Sequence, residues 1–327
     1  MIIKTPSRIH MGLIDLNGSY GRYDGGIGLT IKKPNFTLKC DNSDKGIAID
    51  FHKSITDERI KDQCKSKIIE SCERIISHFQ IESNYHFDVK EAYFPHSGLG
   101  SGTQISLATA KLICEYNDIA ISSPQLGGIL KRGGTSGIGI YSFEQGGLII
   151  DGGHGESEKN DFLPSSASDA KPPVLIGRYE FPKDWEVLIA IPESHNIKGK
   201  KEVNIFQKYC PIPQIEVEKL SYLIFMNLIP YMLENDIESF GETINKIQDI
   251  GFKKIEVMVQ QGRIKTLMEK MREFGAYGVG MSSFGPAIYG IIDKNNSDVL
   301  KATQEYLGDD GVVFKTPAQN RGYEIKK

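Results

Sequence analysis

A glycine-rich stretch in the first third of the chain, Pro95–Gln104, constrains the fold more than any other part of the sequence. It places three glycines within five positions, and glycine lets a backbone turn tightly and approach a ligand closely. Apolar residues three and four apart predict a helix over 105–113. A loop that opens onto a helix N-terminus directs N–H groups and the positive helix end toward one point. We predict a phosphate or pyrophosphate site, the alternative being a plain turn with Ser101 or Thr103 as N-cap.

The composition of the chain limits the classes of partner that it could bind. The chain has 327 residues, 39% hydrophobic and 25% charged, which is typical of a globular protein large enough for two domains. A net charge of −3 gives no general attraction to nucleic acid or to an acidic membrane, so we expect neither as a partner. Five scattered cysteines without a Cys-x-x-Cys pair, and no signal-like or bilayer-length apolar stretch, favour a cytoplasmic protein.

Hydrophobic periodicity predicts an alternation of strands and helices. The predicted strands are 1–16, Ile27–Ile31, Phe36–Cys40, Ile47–Phe51, Tyr85–Val89, a hairpin of Ile140–Phe143 with Gly147–Asp151, Trp185–Ile191, Gly278–Met281, Ala287–Ile292 and Gly311–Lys315. The predicted helices are Asp57–Phe79, the one after the glycine loop, a short one with Ser123 as N-cap, Ile215–Glu234, Ile237–Ile250, Gly262–Phe274 and Ser297–Leu307.

A polar segment, 152–173, divides the chain. It is rich in Gly, Ser, Asp, Lys and Pro, and its composition predicts an inter-domain linker or a flap. His154 within it is either solvated or part of the site. We predict an N-terminal domain over 1–165, which holds the phosphate loop, and an α+β domain over 166–327.

Several glycine-rich loops and dispersed cations suit a ligand with more than one phosphate group. The loops lie at 98–102, 133–139 and 278–285. Arginine holds phosphate through two prongs, and helix N-termini hold it through backbone N–H groups. The cations and histidines around the loops are Arg8, His10, Arg22, His96, Lys131 and Arg132. Strand alternation puts Arg8 and His10 on one face, which is either a polar outer face or an anion-binding surface.

Three motifs in this order resemble those of the GHMP kinase superfamily. They are Pro95-x-x-Gly98-Leu99-Gly100-Ser101, Pro6-x-Arg8-Ile9 and the glycine-rich run Gly278–Pro286. The resemblance covers nearly the whole chain. It implies an α+β fold of two domains, the first like domain 2 of ribosomal protein S5 and the second ferredoxin-like, with the site between them.

Longer strings resemble one branch of that superfamily, the β-ribofuranosylaminobenzene 5′-phosphate synthases. They are Ser7–His10, Arg22 with Gly25–Gly28, Gly98–Gln104 and Arg132–Gly139. The resemblance implies that phosphoribosyl pyrophosphate reacts with 4-aminobenzoate, or a close para-substituted benzoate, at the start of methanopterin synthesis. The products would be an aryl C-riboside 5′-phosphate, CO₂ and pyrophosphate, and Mg²⁺ would bridge the pyrophosphate oxygens.

Two departures separate this chain from the kinases it resembles. Gly102 stands where the kinases carry a second small hydroxyl residue, and 132–139 contains no acid to act as base. The nearest carboxylates are Glu144 and Asp151. An ATP-dependent small-molecule kinase is the first alternative, since some members of the superfamily work without such an acid, and a non-catalytic phosphate-ligand sensor is the second.

We predict that two groups of residues form the site and that its substrates are small molecules. The residues predicted to bind phosphate or pyrophosphate are Arg8, Gly98, Gly100, Ser101, Gly102, Thr103, Arg132, Gly134, Thr135 and Ser136. Those predicted for catalysis are His10, Arg22 and His96. The histidines either handle protons, anchor an anion or are structural. A homodimer is left open.

Overall fold

The structure is a computed structural model that describes residues 1–193, 197, 199–260 and 262–327. The strands are β1 (Ile2–Asp15), β2 (Arg22–Asn42), β3 (Ile47–Phe51), β4 (Tyr85–Glu91), β5 (Leu148–Asp151), β6 (His154–Gly155), β7 (Leu175–Tyr179), β8 (Trp185–Pro192), β9 (Gly278–Met281), β10 (Ile288–Asp293), β11 (Gly311–Pro317) and β12 (Glu324–Lys326). The α-helices are α1 (Glu58–Phe79), α2 (Ser101–Tyr116), α3 (Ser123–Ile129), α4 (Ile138–Glu144), α5 (Lys200–Tyr209), α6 (Gln214–Leu223), α7 (Ile229–Leu233), α8 (Ile237–Gln248), α9 (Gly251–Met258), α10 (Gly262–Glu273) and α11 (Asp298–Leu307).

The first sheet is organised around β1 and β2, which pair antiparallel over most of their length. Its order is β12-β1-β2-β4-β3, with β5 and β6 also pairing with β2, and β7 pairing with β5. Strands β7 and β12 lie beyond residue 165 and still belong to this sheet. The division of the chain at residues 165 and 166 stays a prediction.

The second sheet has the strand order β11-β8-β10-β9, and every pair is antiparallel. Numbered along the chain, these strands stand in the order fourth, first, third, second, which is the arrangement of a ferredoxin-like sheet. Helices α5–α10 are inserted between its first and second strands. The predicted strands of this half are therefore confirmed, and the long insertion brings helices toward the first sheet.

The helix that follows the glycine loop, α2, is largely buried. It buries eleven of its sixteen residues, because it lies between β1 and β2 on one side and α1 on the other. A helix held on two sides keeps its N-terminus in a fixed position. The predicted helix is confirmed, and the glycine loop is anchored at one end by the core.

Strand β2 corrects the prediction of two strands, Ile27–Ile31 and Phe36–Cys40. The structure has one strand over Arg22–Asn42, which begins five residues before the first predicted strand. Thr5 pairs with Phe36 and Ser7 with Ile31, so the residues between Ile31 and Phe36 form a bulge against β1. Pairing on both sides of this interruption keeps the strand continuous.

Helix α4 corrects the predicted hairpin. Ile140–Phe143 lies within this helix, whereas Leu148–Asp151 forms a strand as predicted. The apolar run is buried against β1 and β2, and a short buried run does not distinguish a helix from a strand. Helix α3 begins as predicted, but its N-cap is Ser122, which forms a capping box with Gln125.

The other differences concern short or interrupted elements. The helix predicted over Ile215–Glu234 contains a π-helical turn at Ile224–Leu228. Helices α5 and α9 and strands β6, β7 and β12 were not predicted. Within the described part of the chain, no helix is long and apolar enough to cross a membrane.

An aromatic cluster supports the junction of the two sheets. The ring of Phe240 on α8 lies 5.7 Å from that of Phe181 and 5.2 Å from that of Trp185. Phe240 is fully buried in a core that contains residues of both sheets. Removing this ring would leave a cavity where the two halves of the chain meet.

We therefore expect Phe240→Ala to lower the free energy of unfolding by about 3–5 kcal/mol, the cost of a large cavity in a core. Urea unfolding followed by circular dichroism measures this loss. Val174→Ala is the matched control, because Val174 is 64% exposed, and its effect should stay within about 0.5 kcal/mol. A loss of less than about 1 kcal/mol at Phe240 would show that the cluster does not support the junction.

Candidate functional site

The glycine loop ends at the N-terminus of α2 in a conformation that suits glycine. Gly98 and Gly100 have φ angles of 87° and 82°, in the left-handed region. Gly100 is the N-cap of α2, and no side chain of the described residues caps the helix. The first N–H groups of α2 therefore remain available to a ligand, as predicted for an anion site.

The Gly98 peptide is the point at which the sequence motifs meet. Its carbonyl accepts hydrogen bonds from the Arg8 guanidinium and, at 2.7 Å, from the Ser282 hydroxyl. A Cβ on Gly98 would lie 2.6 Å from the Ser282 carbonyl oxygen, so glycine is required for this close approach. The first strand, the glycine loop and the third glycine-rich loop thus come together at one peptide.

A cavity of about 710 Å³ opens at this junction. The first glycine loop lines it with Gly98, Gly100, Ser101, Gly102 and Thr103. The second lines it with Gly133, Thr135, Ser136 and Gly139, and the third with Ser283 and Phe284. The three glycine-rich loops therefore share one cavity, and its volume is that of a small-molecule site.

Two guanidinium groups and one ammonium group line the same region. Arg8 and Arg132 are half-buried, and each has a buried Nε without a hydrogen-bond partner within the described chain. Buried polar atoms are normally paired, so these donors suit an anionic ligand. Burial lowers the pKa of Arg8 to about 10, which leaves it charged at neutral pH. Lys67 adds an ammonium group, which is paired with Glu70 at 2.6 Å.

His10 lies in the cavity wall as a neutral imidazole. It is 8% exposed, and its backbone bonds to Ser282 and Ser283 of the third loop. Burial, and then the charges of Arg8 and Lys253, lower the pKa of His10 well below its ordinary value. Its buried Nδ1 has no hydrogen-bond partner among the described residues. The structure brings His10 into the cavity wall, where its ring can donate or accept a hydrogen bond at neutral pH, and its catalytic role stays a prediction.

His96 lies at the mouth of the cavity. It is exposed and has a φ of 55°. It also lines a neighbouring cavity of about 380 Å³, together with Arg59, Lys67 and Phe94. The structure therefore brings His96 to the edge of the site, and its catalytic role stays a prediction.

Buried charges hold the second glycine loop. The carboxylate of Asp151 accepts hydrogen bonds from the Ser136 hydroxyl at 3.0 Å and from the Gly137 N–H at 2.9 Å. Burial raises the pKa of Asp151 to about 7. The Lys159 ammonium donates to the Gly134 carbonyl at 3.0 Å. These contacts act on the loop from behind, since neither Asp151 nor Lys159 lines the cavity.

Lys159 is itself part of a buried ionic cluster. Its Nζ lies 2.8 Å from the Asp24 carboxylate, which also contacts His154 Nδ1 at 2.7 Å. Although burial opposes it, the hydrogen bond and charge of Asp24 raise the pKa of His154. His154 is therefore buried and structural, neither solvated nor in the cavity wall, and the segment around it supports the second loop.

Two of the predicted site residues do not line the cavity. Arg22 is exposed, and its guanidinium donates to the carbonyls of Gly152 and Gly153 at 2.7–3.0 Å. Gly134 faces Lys159 and Ser168. The geometry gives Arg22 a structural contact, and a catalytic role for it stays a prediction without support from the cavity.

The far end of the cavity was not predicted. It is lined by the apolar side chains of Leu13, Phe206 and Phe284 and by the carboxyl groups of Glu202 and Glu256. On α5 and α9 the acid and aromatic residues are four apart, a spacing that places them on one helix face. That spacing is the sequence pattern from which these residues could have been predicted. Nothing local in the sequence shows that the two helices reach β1.

The two acids at this end differ in their partners. Glu256 is 2% exposed and forms an ion pair with the buried Lys253, which also donates to the Met281 carbonyl at 3.1 Å. Burial raises the pKa of Glu256, although Lys253 opposes it. Burial, and then the charge of Glu256, raise the pKa of Glu202 to about 7. The cavity is thus cationic at one end and acidic and apolar at the other.

The residues present fit a metal ion that is carried by a phosphate ligand. In the described part of the chain, no group of three His, Cys, Asp or Glu side chains is placed to hold a metal ion. Ser101, Thr103 and Gln63 bring oxygen atoms to the phosphate end, and the Gln63 Oε1 is buried without a partner among the residues that the structure describes. Mg²⁺ is commonly bound through substrate phosphates with few protein ligands, which these residues can provide.

Comparison with known proteins agrees with this architecture. Residues 228–306 match the family "GHMP kinases C terminal". The mevalonate kinase structure from Methanococcus jannaschii has a TM-score of 0.68 at 14% identity and covers 98% of each chain. These findings confirm the predicted GHMP-kinase-like α+β fold.

Two relatives named β-ribofuranosylphenol 5′-phosphate synthase are much more similar in sequence. The one from Methanothermobacter thermautotrophicus is 47% identical and covers 98% of this chain and 97% of its own. The one from Methanocaldococcus jannaschii is 45% identical and covers 99% of this chain and 100% of its own. The relatives' name contains a phenol where the predicted branch name contains an aminobenzene. At this identity and coverage, the chain belongs to the β-ribofuranosylphenol 5′-phosphate synthase family.

Proposed function

We propose that the protein joins the ribose of phosphoribosyl pyrophosphate to a para-substituted benzoate, with release of CO₂ and pyrophosphate. The relatives' name describes the product of this reaction when the para group is a hydroxyl. The protein would then be a decarboxylating pentosyltransferase of methanopterin biosynthesis. The observation that carries the proposal is a single cavity that is lined both by the N-terminus of α2 with two arginines and by apolar side chains.

The phosphate end suits a leaving pyrophosphate. As the bond from ribose C1 to pyrophosphate breaks, negative charge grows on the pyrophosphate oxygens. The α2 N-terminus and the unpaired Nε groups of Arg8 and Arg132 are placed before the reaction, so they stabilise that charge without rearranging. Mg²⁺ bound to the pyrophosphate would add charge neutralisation there.

Strand β1 connects the two ends of the cavity. Arg8, His10 and Leu13 line it in chain order, from the guanidinium to the apolar end. We propose that the neutral His10 forms a hydrogen bond with an oxygen of one of the substrates and so holds the ring against ribose C1. Correct placement of two reactants is itself a large part of such a rate enhancement.

The apolar end suits the aromatic ring. Leu13, Phe206 and Phe284 supply the apolar wall that a benzoate ring needs. The relatives' name favours 4-hydroxybenzoate as the aromatic substrate over 4-aminobenzoate. Both acids have a hydrogen-bond donor at the para position, so the apolar wall alone accepts either.

An ATP-dependent kinase is the second candidate function, because solved kinases share the fold. Phosphoryl transfer to an alcohol is helped by a carboxylate base beside the acceptor. Asp151 is the acid next to the second glycine loop, but it bonds to Ser136 and Gly137 and does not line the cavity. The geometry therefore favours the synthase.

The two functions differ in their products. With phosphoribosyl pyrophosphate, Mg²⁺ and 4-hydroxybenzoate, we expect the protein to release CO₂ and pyrophosphate in equal amounts. Labelled carboxylate and a coupled pyrophosphate assay measure them. If neither product forms while ATP is consumed with an alcohol, the protein is a kinase. Parallel reactions with 4-aminobenzoate establish which para group is preferred.

The glycine loop can be tested by blocking its backbone. We expect Gly100→Val to abolish activity, because Gly100 has a positive φ and a Cβ there would lie 3.1 Å from the Arg8 guanidinium carbon. Circular dichroism establishes that the variant is folded. Gly262→Val is the control, since a Cβ at Gly262 meets nothing within 4 Å. A fully active Gly100→Val would disprove the loop assignment.

A substitution by lysine tests whether the guanidinium group of Arg8 is required or whether a positive charge alone is enough. We expect Arg8→Lys to raise the KM for phosphoribosyl pyrophosphate about 10- to 100-fold, because an ammonium group lacks the planar fork and the Nε donor. Steady-state kinetics at saturating aromatic acid measure this change. Arg321→Lys is the control, since the side chain of Arg321 is 74% exposed and forms an ion pair with Glu324 at the surface. An unchanged KM would remove Arg8 from the phosphate site.

A further inference from the structure

The acidic residues of the cavity do not take part in the departure of pyrophosphate. Glu202 and Glu256 line the cavity together with the apolar side chains of Leu13, Phe206 and, on the third glycine-rich loop, Phe284. Carboxylates would repel a neighbouring pyrophosphate. We therefore expect these two acids to contact a different part of the ligand. That part must be compatible with both an apolar wall and an acid.

Two helices build this end as one unit. Glu202 and Phe206 lie one turn apart on α5, and Phe252 and Glu256 lie one turn apart on α9. The Phe206 and Phe252 rings are 4.6 Å apart, and the Phe252 and Phe284 rings are 5.9 Å apart. The packed rings fix the relative position of the helices and therefore of the two carboxyl groups.

The partners of the acids indicate what they can bind. Glu256 is held by the buried Lys253, whose ammonium also donates to the Met281 and Ser283 carbonyls. Glu202 is half-buried, and it forms no ion pair or hydrogen bond among the described residues. A half-buried acid without a partner suits a ligand that donates a hydrogen bond. An anionic ligand group would be repelled by the pair.

We propose that Glu202, with Glu256 beside it, accepts the hydrogen bond of the para hydroxyl or amine of the aromatic substrate. This inference rests on the proposed function and deepens it, because it assigns the residue that selects the para group. The substrate then lies with its carboxylate toward Arg8 and His10, and its para group toward Glu202.

The same contact assists the reaction. The ring carbon that bears the carboxylate forms a bond to ribose C1, while the bond from C1 to pyrophosphate breaks and its electron pair leaves on the pyrophosphate oxygen. The para hydroxyl gives its proton to Glu202, so the ring becomes a neutral dienone and not a cation. The bond to CO₂ then breaks, its electron pair restores the aromatic ring, and Glu202 returns the proton to the oxygen.

A pKa near neutrality suits this exchange, because Glu202 must both take and return a proton. A para methoxy group has no proton to give. The contact therefore predicts that the enzyme turns over para-hydroxybenzoate and para-aminobenzoate and uses 4-methoxybenzoate poorly, although the apolar wall accepts all three rings.

The test compares Glu202→Gln with the wild-type protein. We expect kcat/KM for 4-hydroxybenzoate to fall about 100-fold, the loss typical of a missing general base. The affinity for phosphoribosyl pyrophosphate, measured by calorimetry, and the inhibition constant of 4-methoxybenzoate should stay unchanged. Glu202→Asp should recover part of the rate. The matched control is Glu269→Gln, an exposed glutamate on α10 that does not line the cavity.

The outcomes separate this inference from the proposed function. Wild-type protein that releases neither CO₂ nor pyrophosphate overturns both. An active wild type with an unchanged Glu202→Gln variant overturns only the role of Glu202. So does a variant that weakens 4-methoxybenzoate and 4-hydroxybenzoate equally, since that pattern indicates general damage to the cavity.

Discussion

The site depends on the hydrogen bonds that converge on the Gly98 carbonyl. Arg8 donates from β1, and Ser282 donates from the loop that follows β9 of the second sheet. These donors lie 90 and 184 residues away in the chain. One peptide therefore fixes the phosphate loop against both sheets, and the absence of a Cβ at Gly98 makes the contact possible. Any shift between the sheets would open the cavity at this point.

The charges in the cavity wall depend on which strands, helices and loops supply its residues. Its cations come from β1, α1 and the second glycine loop, whereas its acids come from α5 and α9, within the insertion between β8 and β9. Burial, and then the charges of Arg8 and Lys253, lower the pKa of His10 and keep its ring neutral. A ligand that is anionic at one end and aromatic with a donor at the other matches this separation of charge.

The parts of the fold and site that were predicted correctly depend on local patterns. The turn at the glycine loop and the helix α2 need only neighbouring residues, and the alternation of β1 places Arg8 and His10 on one face. The errors arise where tertiary packing decides. The apolar run at Ile140–Phe143 fits a strand or a helix equally, and its burial against the sheet selects α4. Glu202 could not be found in the sequence, because its neighbours in the cavity come from β1 and α9.

Asp151 shows how a kinase-like fold can serve different chemistry. An acid lies next to the second glycine loop, but its carboxylate is taken up by Ser136 and Gly137, and burial raises its pKa to about 7. It stabilises the loop and does not line the cavity, so it is not placed to act there as a carboxylate base. Among the described residues that line the cavity, the carboxyl groups belong to Glu202 and Glu256, at the aromatic end. A reaction in which pyrophosphate leaves without protonation needs no base at the phosphate end. Its single proton exchange is then placed at the far side of the aromatic ring, where these acids lie.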